Sequence, residues 1–271
     1  MWKRQLLGLA AGVAAIGTFG AVGLAAASAQ ASVGRTAPQI LSPSWTKQAK
    51  EPQAKTSTDP ALAVFDGRLY AAWTGLTTNK IFYSAFNGHT WTAQATEPQA
   101  NTSDDPALAV FHGRLFAAWT GLSTTRVWYA SFNGSSWNGQ TEEGPAKSGN
   151  GPGLAVFQGK LYATWSGLTS NSVFYAAYNG SSWTPQATQP VGKTDAGPAI
   201  AVFQGRLYAA WSGLTTNRIF YSTFNGSSWT AQLRQPQALT VESPALAVFQ
   251  GKLYAAWAGR STNRLFYSAL N

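Results

Sequence analysis

A tryptophan followed six and seven residues later by an amide and a cationic side chain recurs along the chain, first as Trp73 with Asn79 and Lys80. Aromatic rings offer an apolar face on which a sugar ring can stack, and amide and cationic groups donate hydrogen bonds to hydroxyls. This combination predicts a shallow saccharide-binding site in each repeat. The predicted ligand-binding residues are Trp73, Asn79, Lys80, Trp119, Arg126, Trp128, Trp165, Asn171, Trp211, Asn217, Arg218, Trp257, Asn263 and Arg264.

An alternative for the tryptophans is ordinary packing, with each ring buried between neighbouring sheets. The recurring Asn and Lys or Arg residues are harder to explain in that way. Polar side chains repeated on a surface have no evident packing purpose. The amide and cationic set therefore favours ligand recognition more strongly than the tryptophans do.

Catalytic groups are not suggested by the sequence. The ten acidic residues form no adjacent pair except Asp104–Asp105 and Glu142–Glu143. His89 and His112 occupy positions that hold other residue types in the other repeats, and they lie at no metal-ligand spacing. The absence of cysteine excludes thiol chemistry and Cys-type zinc sites. The sequence predicts no catalytic residue, no metal site and no cofactor.

Charge is sparse: 11% of the residues are charged, against about 25% in an average soluble domain. The formal net charge is +9, but the basic residues are scattered singly rather than clustered. A nucleic-acid-binding protein would show a basic stripe or patch. The composition excludes that class and favours a partner rich in hydroxyl groups.

Repetition dominates the chain. The segment PALAVF and its variants begin at prolines spaced 46 residues apart, from Pro60 to Pro244. A second tryptophan set, Trp91, Trp137, Trp183 and Trp229, keeps the same spacing. Subtracting 46 from 91 leads to Trp45, near the start of the chain. Five copies of one unit are therefore present. The segment around Trp45 supplies the part that the fifth, C-terminal copy lacks.

Each repeat is predicted to form four short β-strands. In the first repeat these are PALAVF, RLYAAWTG, KIFYSAF and HTWTAQA, with D-G and N-G hairpin signals between strands one and two and strands three and four. Repeats of this length and content indicate an all-β, five-bladed β-propeller with four antiparallel strands per blade. Residues 43–271 would form the ring, closed by the N-terminal SWTKQ strand joining the C-terminal blade.

The alternating strand directions place the short hairpin turns on one face of the ring and the longer loops on the other. Binding groups are usually carried by longer loops. The tryptophan of the second strand lies near the long-loop face, whereas Trp91 and its equivalents begin their strands at the short-turn face. The latter set is predicted to be structural.

The first 31 residues have a basic start, a long apolar run and small residues at a cleavage site. This pattern is typical of a secretory signal peptide, with residues 32–42 as a short linker. An uncleaved anchor helix is the alternative. We expect a secreted, extracellular protein that is not inserted in a membrane after signal cleavage.

The pattern P-A-L-A-V-F-x-G-x-L-Y-x-A-W-x-G, followed by F/W-Y-S-x-F-x-G-x-x-W, resembles the repeat of bacterial and fungal propeller lectins. These include fucose-binding propeller lectins and five-bladed tachylectin-type GlcNAc binders. The resemblance spans about 230 residues. It implies a multivalent lectin with up to five equivalent sites between blades, which binds fucose- or GlcNAc-type glycans without metal or catalysis.

Two other interpretations remain open from the sequence. The segment SAFNGHTW also resembles a degraded Asp-box of sialidases, which suggests a glycoside hydrolase. Near-identical repeats, however, supply no unique catalytic centre. The other possibility is a structural or protein-binding propeller.

Overall fold

The computed structural model describes residues 52–56, 58–261 and 264–270. Within these ranges there is no helix, and hence none that could cross a membrane. The predicted signal peptide, linker and Trp45 strand lie outside the described residues, as does Asn263. These remain predictions.

Nineteen strands make up the described fold. In chain order they are β1 (Ala61–Phe65), β2 (Arg68–Thr74), β3 (Lys80–Phe86), β4 (Ala95–Asn101), β5 (Ala107–Phe111), β6 (Arg114–Thr120), β7 (Arg126–Phe132), β8 (Thr141–Lys147), β9 (Gly153–Phe157), β10 (Lys160–Ser166), β11 (Ser172–Tyr178), β12 (Ala187–Lys193), β13 (Ala199–Phe203), β14 (Arg206–Ser212), β15 (Arg218–Phe224), β16 (Leu233–Leu239), β17 (Ala245–Phe249), β18 (Lys252–Ala258) and β19 (Leu265–Leu270).

The strands form five antiparallel sheets, each following chain order from its first strand outwards. The first strands β1, β5, β9, β13 and β17 contact one another in succession and together line one central cavity of about 360 Å³. This is the predicted five-bladed propeller. Blades one to four have four strands each, and blade five has three among the described residues.

Small residues allow the blades to approach one another at the axis. The N–H of Asp59 donates to Oδ1 of Asp105 in the next blade, at 2.7 Å. At the equivalent position of blade four, a Cβ on Gly197 would lie 2.7 Å from the carbonyl oxygen of Gly151. No side chain fits there, because real Cβ contacts are longer. Glycine is therefore required at this position of blade four.

The predicted hairpins between first and second strands are present. In blade one, Asp66 and Gly67 both have positive φ, at 48° and 68°, and Phe65 pairs with Arg68. Positive φ at both central residues is the geometry of a two-residue type I′ turn, which matches the twist of the flanking strands. The tight turn sets the register of β1 against β2.

The core lies between blades. The tryptophans at the short-turn face, which the sequence predicts to be structural, pack edge-to-face on a tyrosine of the preceding blade. These pairs are Tyr83–Trp137, Tyr129–Trp183 and Tyr175–Trp229, with ring centroids 5.4 to 5.5 Å apart. The rings are partly buried, and aromatic pairs of this geometry stabilise beyond their area burial. Each of these three tryptophans therefore links two blades.

Candidate functional site

The second-strand tryptophans are buried. Their exposed fractions are 2%, 1%, 0%, 1% and 6% for Trp73, Trp119, Trp165, Trp211 and Trp257. Trp73 stacks on the neighbouring ring of Phe82, with centroids 6.3 Å apart. These rings offer no free face to a ligand in this structure. Their burial favours the packing alternative over the ligand-stacking role predicted from the sequence.

The recurring asparagines have a backbone role that the sequence reasoning missed. Asn79, Asn171 and Asn217 have φ of 55°, 52° and 54°, in the left-handed region that Asn tolerates better than most residues. The Asn79 carbonyl accepts the N–H of Thr102 from the following inter-blade loop, at 2.8 Å. A turn that demands this conformation explains why an amide recurs. Ligand recognition is not needed to account for it.

The cationic positions lie at the surface, at the start of the third strand in blades one, two and four and directly before it in blade five. Lys80 and Arg264 are exposed, and Arg126 and Arg218 are partly exposed. Their side chains therefore remain candidates for ligand contact. Blade three has Ser172 at this position, so the cation does not recur in every repeat.

In blades one to four, one ring of the third strand reaches the surface beside the loop between strands two and three. Phe82, Trp128, Phe174 and Phe220 are partly buried. Each rests on the loop between strands two and three: a Cβ on Gly75 would lie 2.5 Å from the Phe82 ring. Of these four rings, only Trp128 is among the predicted ligand-binding residues.

Blade two adds a charge pair beside its aromatic ring. Glu142 on β8 is the cross-strand partner of Trp128 on β7. Nη1 of Arg126 donates to Oε2 of Glu142 at 2.6 Å, and the two side chains are 41% and 36% exposed. Nε1 of Trp128 donates to Oγ1 of Thr124 at 3.2 Å. We call Thr124, Arg126, Trp128 and Glu142 the blade-two site.

Glu142 was not among the predicted site residues. Its equivalents 46 residues away on either side are Thr96 and Thr188. Two signals in the sequence could have identified Glu142. It replaces the threonine found in blades one and three, and it lies opposite Trp128, where the other third strands have phenylalanine. Cross-strand pairing places such residues side by side on one face of the sheet.

The blade-two site lies at the cleft with blade one. Trp119 and Trp128 pack against a cluster that includes Ala100 on β4 of blade one. At the rim of this cleft, the N–H of Leu122 donates to the carbonyl of Asn101 at 2.9 Å. The indole therefore packs against a buried cluster formed by both blades, a suitable support for a preformed pocket.

The equivalent positions in the other blades carry different chemistry. Each set consists of a third-strand residue at the surface, the aromatic ring two residues on, and the cross-strand partner of that ring. The sets are Lys80, Phe82 and Thr96 in blade one, Ser172, Phe174 and Thr188 in blade three, and Arg218, Phe220 and Arg234 in blade four. The repeat conserves the fold, but it does not make the surface sites identical.

Two further carboxyl groups face the core. Glu97 and Glu143 are each 1% exposed, and Gln189 holds the equivalent position in blade three. Oε2 of Glu97 accepts the N–H of Gln99 at 2.8 Å, where the pairing of β3 with β4 shifts register. Burial raises the pKa of Glu97, and it raises that of Glu143 to about 7. These groups support the irregular outer strand.

The two histidines occupy turns. His112 has φ of 46° in a hairpin, with its ring stacked on Phe111 at 3.8 Å between centroids. The N–H of His89 donates to Oδ1 of Asn87 at 2.9 Å. Among the described residues, no group of three His, Asp or Glu side chains is placed to hold a metal ion.

No family model and no curated protein matches the chain. Similar solved structures include a mutant Aleuria aurantia lectin in complex with Fucα1-6GlcNAc, at 10% identity and a TM-score of 0.57, covering 79% of this chain and 77% of the lectin. The GH43_1 enzyme from Xanthomonas citri complexed with xylotriose is 14% identical with a TM-score of 0.51, covering 78% and 86%. At these identities the comparison shows the β-propeller fold, shared by lectins and glycoside hydrolases.

Proposed function

We propose that the protein is a non-enzymatic carbohydrate-binding protein whose principal saccharide site is the blade-two site. The observation that carries the proposal is the Arg126–Glu142 pair at 2.6 Å beside the partly exposed indole of Trp128. The mutant Aleuria aurantia lectin, a propeller of similar fold in complex with a fucosylated sugar, supports the same class of ligand.

The chemistry of this site suits a neutral sugar. The Glu142 carboxylate accepts hydrogen bonds from hydroxyl groups, the Arg126 guanidinium donates to hydroxyl or ring oxygens, and the indole packs against C–H groups. Because the two charges compensate each other, the site has no net charge to select for an ionic ligand. Charge-assisted hydrogen bonds are stronger than neutral ones, which gives a shallow site useful affinity.

The remaining blades would contribute weaker sites. Blades one and three retain an aromatic ring with a threonine partner, but they lack the carboxylate. Several weak sites on one ring bind strongly to a glycan-coated surface, because each bound site raises the effective concentration for the next. An exported protein, as the N-terminal pattern predicts, would meet such surfaces.

The alternative of a glycoside hydrolase has weaker support. Such enzymes use two carboxyl groups that flank the scissile bond. Glu142 is paired with Arg126, while the neighbouring Glu143 and the equivalent Glu97 are buried in the core. The family-43 hydrolases share the fold, so an assay for turnover belongs in the same experiment.

The test is a glycan array followed by titration calorimetry on the best ligand, with the purified protein and three variants. E142T and W128F each place in blade two the residue type of blade one, so they preserve the fold. We expect each to weaken binding about tenfold or more, in line with the ~1–3 kcal/mol cost of an unpaired polar group or lost aromatic contact. The matched control S172A, at the Arg126 position of blade three, should bind normally.

Each outcome has a separate meaning. Binding that survives in both blade-two variants would move the site elsewhere on the ring. An array without any ligand would refute carbohydrate binding. Release of reducing sugar from xylan-type or fucosylated oligosaccharides would refute the non-enzymatic assignment.

A further inference from the structure

Charge is unevenly distributed around the ring. Residues 52–147, which include blades one and two, contain six basic and seven acidic residues. Residues 148–241, which include blades three and four, contain five basic residues and a single acidic one, Asp195. A surface with an excess of one sign of charge attracts ligands of the opposite sign. Blades three and four therefore form the side of the ring on which an anionic ligand is favoured.

Two of these basic residues flank the third-strand ring of blade four. Arg234 on β16 is the cross-strand partner of Phe220 on β15, and Arg218 lies two residues before Phe220. Residues two apart in a strand, and residues directly opposite on neighbouring strands, share one face of the sheet. Phe220 packs against a buried cluster that includes Val173 of blade three. Arg218, Phe220 and Arg234, which we call the blade-four site, therefore face the cleft between blades three and four.

The arginine at the start of β15 has the same backbone setting as its equivalent in blade two. The N–H of Gly213 donates to the carbonyl of Arg218 at 2.8 Å, and the N–H of Gly121 donates to that of Arg126 at 2.8 Å. Both arginines are partly exposed. Blade two therefore shows what an arginine at this position binds, because Nη1 of Arg126 donates to Oε2 of Glu142 at 2.6 Å.

Blade four has no carboxylate of its own at the equivalent place. Arg234 is the equivalent of Glu142, and Gln235 stands where blade two has the buried Glu143. In the part of the chain that the structure describes, neither Arg218 nor Arg234 takes part in an ion pair, in contrast to Arg126 with Glu142. Like charges on adjacent strands repel each other. An anion bound between the two guanidinium groups would relieve that repulsion and supply the partner that Glu142 provides in blade two.

The loop between blades three and four adds one charge of each sign. The carbonyl of Lys193, the last residue of β12, accepts the N–H of Leu214 at 3.2 Å, in the loop that leads to Arg218. Lys193 and Asp195 are both exposed. Because these two charges offset each other, the two arginines set the net charge of this cleft.

We propose that the blade-four site binds an acidic saccharide, with Arg218 and Arg234 holding its carboxylate or sulfate group and Phe220 packing against its sugar ring. Guanidinium groups form bidentate, charge-assisted hydrogen bonds with anions of this kind. An aromatic face accommodates the C–H groups of the sugar. The proposal rests on the carbohydrate binding proposed above and adds a second ligand class to it, because the blade-two site carries no net charge.

Two sites of different charge on one ring favour a particular kind of glycan. A polymer that contains both neutral and acidic sugars can engage the blade-two site and the blade-four site at once. The second contact then forms at a high effective concentration. Such a polymer would bind more tightly than either sugar alone.

Titration calorimetry on the purified protein tests the class of ligand. The probes are tetragalacturonate, its methyl ester, which has the same sugar rings without the charge, and a sulfated galactose tetrasaccharide. We expect the better of the two acidic saccharides to bind at least about tenfold more tightly than the ester, because charge-assisted hydrogen bonds are the stronger ones. The comparison of the two identifies the anion. A capped tetraglutamate, which has the charge without the sugar, should bind about tenfold more weakly than that saccharide, since it has no ring to pack on Phe220.

Two substitutions remove the arginines and preserve the fold. R218S and R234T place in blade four the residue types of blade three, Ser172 and Thr188. We expect each to weaken binding of the acidic saccharide about tenfold, a loss typical of a hydrogen bond to a charged group. The matched control is R206T, which removes the same charge from the start of β14 at the short-turn face. It should change the affinity less than about twofold, because salt screens a distant charge.

The outcomes separate the blade-four site from carbohydrate binding in general. Equal affinity for the ester would overturn the proposal, as would unchanged affinity in both R218S and R234T. Equal affinity for tetraglutamate would show attraction to charge alone and would also overturn a saccharide site. Neutral glycans are measured separately on the array, so a protein that binds them but no acidic saccharide refutes the blade-four assignment only. A protein that binds neither class refutes carbohydrate binding itself.

Discussion

The buried carboxyl of Glu143 makes the stability of the protein depend on pH. The side chain is 1% exposed, and neither of its oxygens has a hydrogen bond of normal geometry among the described residues. Loss of hydration raises its pKa from 4.5 to about 7, against a smaller opposing contribution from the N–H of Ala146. The folded protein therefore keeps this group neutral at pH values where the unfolded chain ionises it.

The size of the effect follows from that pKa difference. Below pH 4.5 the Glu143 carboxyl is protonated in both the folded and the unfolded state. The free energy of unfolding is then highest, because no ionised carboxyl is buried. As the pH rises to about 7 the unfolded state loses its proton first, and stability falls. A difference of about 2.5 pH units at about 1.36 kcal/mol each sets an upper bound of about 3 kcal/mol. We expect about 2 kcal/mol, since water that reaches the ionised group reduces the loss.

The variant E143Q removes the titration, and blade three shows that an amide fits, because Gln189 occupies the equivalent position. Urea unfolding should give E143Q and wild type similar free energies of unfolding at pH 4. At pH 8 the variant should be more stable by about 2 kcal/mol. The reciprocal variant Q189E should behave like wild type at pH 4 and lose stability at pH 8. An E143Q effect of equal size at both pH values would refute the reasoning.

Three further predictions follow from local geometry. T125N should raise the melting temperature by a few degrees, because Thr125 has φ of 55° and left-handed strain in a β-branched residue costs about 1 kcal/mol. W165A should cost about 3–5 kcal/mol in urea unfolding, because the ring is fully buried. G121A should weaken sugar binding in calorimetry, because its Cβ would lie 2.8 Å from Nε1 of Trp128. The control G139A, with its nearest neighbour at 3.7 Å, should bind normally.

The repeat made the fold predictable. Its period of 46 residues, the hairpin signal between strands one and two and the second tryptophan set each led to a feature that the structure shows. The predicted fourth strand HTWTAQA was wrong in its position: β4 begins at Ala95, and Trp91 forms only an isolated bridge with Phe86. The confirmed features depend on local rules: D-G favours a type I′ turn, and a recurring apolar run favours a buried strand. The Asp66–Gly67 turn has the dihedral angles that the dipeptide predicts. Because the same turn and strand signals recur in every repeat, an assignment that is correct for one blade holds for the others.

Side-chain exposure was harder to predict. In a sheet with one wet face, alternation tells which residues are buried. In a propeller both faces of each blade are covered by neighbouring blades, so Trp73 is buried although it lies near the long-loop rim. Water reaches mainly the strand ends and the outer strands. This is why the partly exposed ring is Trp128 on the third strand, rather than Trp119 on the second.

Repetition also leaves two explanations for the asparagines. A polar residue that recurs at a surface turn suggests a repeated ligand contact, but Asn79 and its equivalents satisfy a backbone conformation. Features that every blade needs recur because the fold requires them. Departures from the repeat are free of that requirement, and blade two combines two of them at one place: Trp128 for phenylalanine and Glu142 for threonine, with Glu142 paired to Arg126. In a ring of near-identical blades, the residues that break the pattern are the stronger guide to binding.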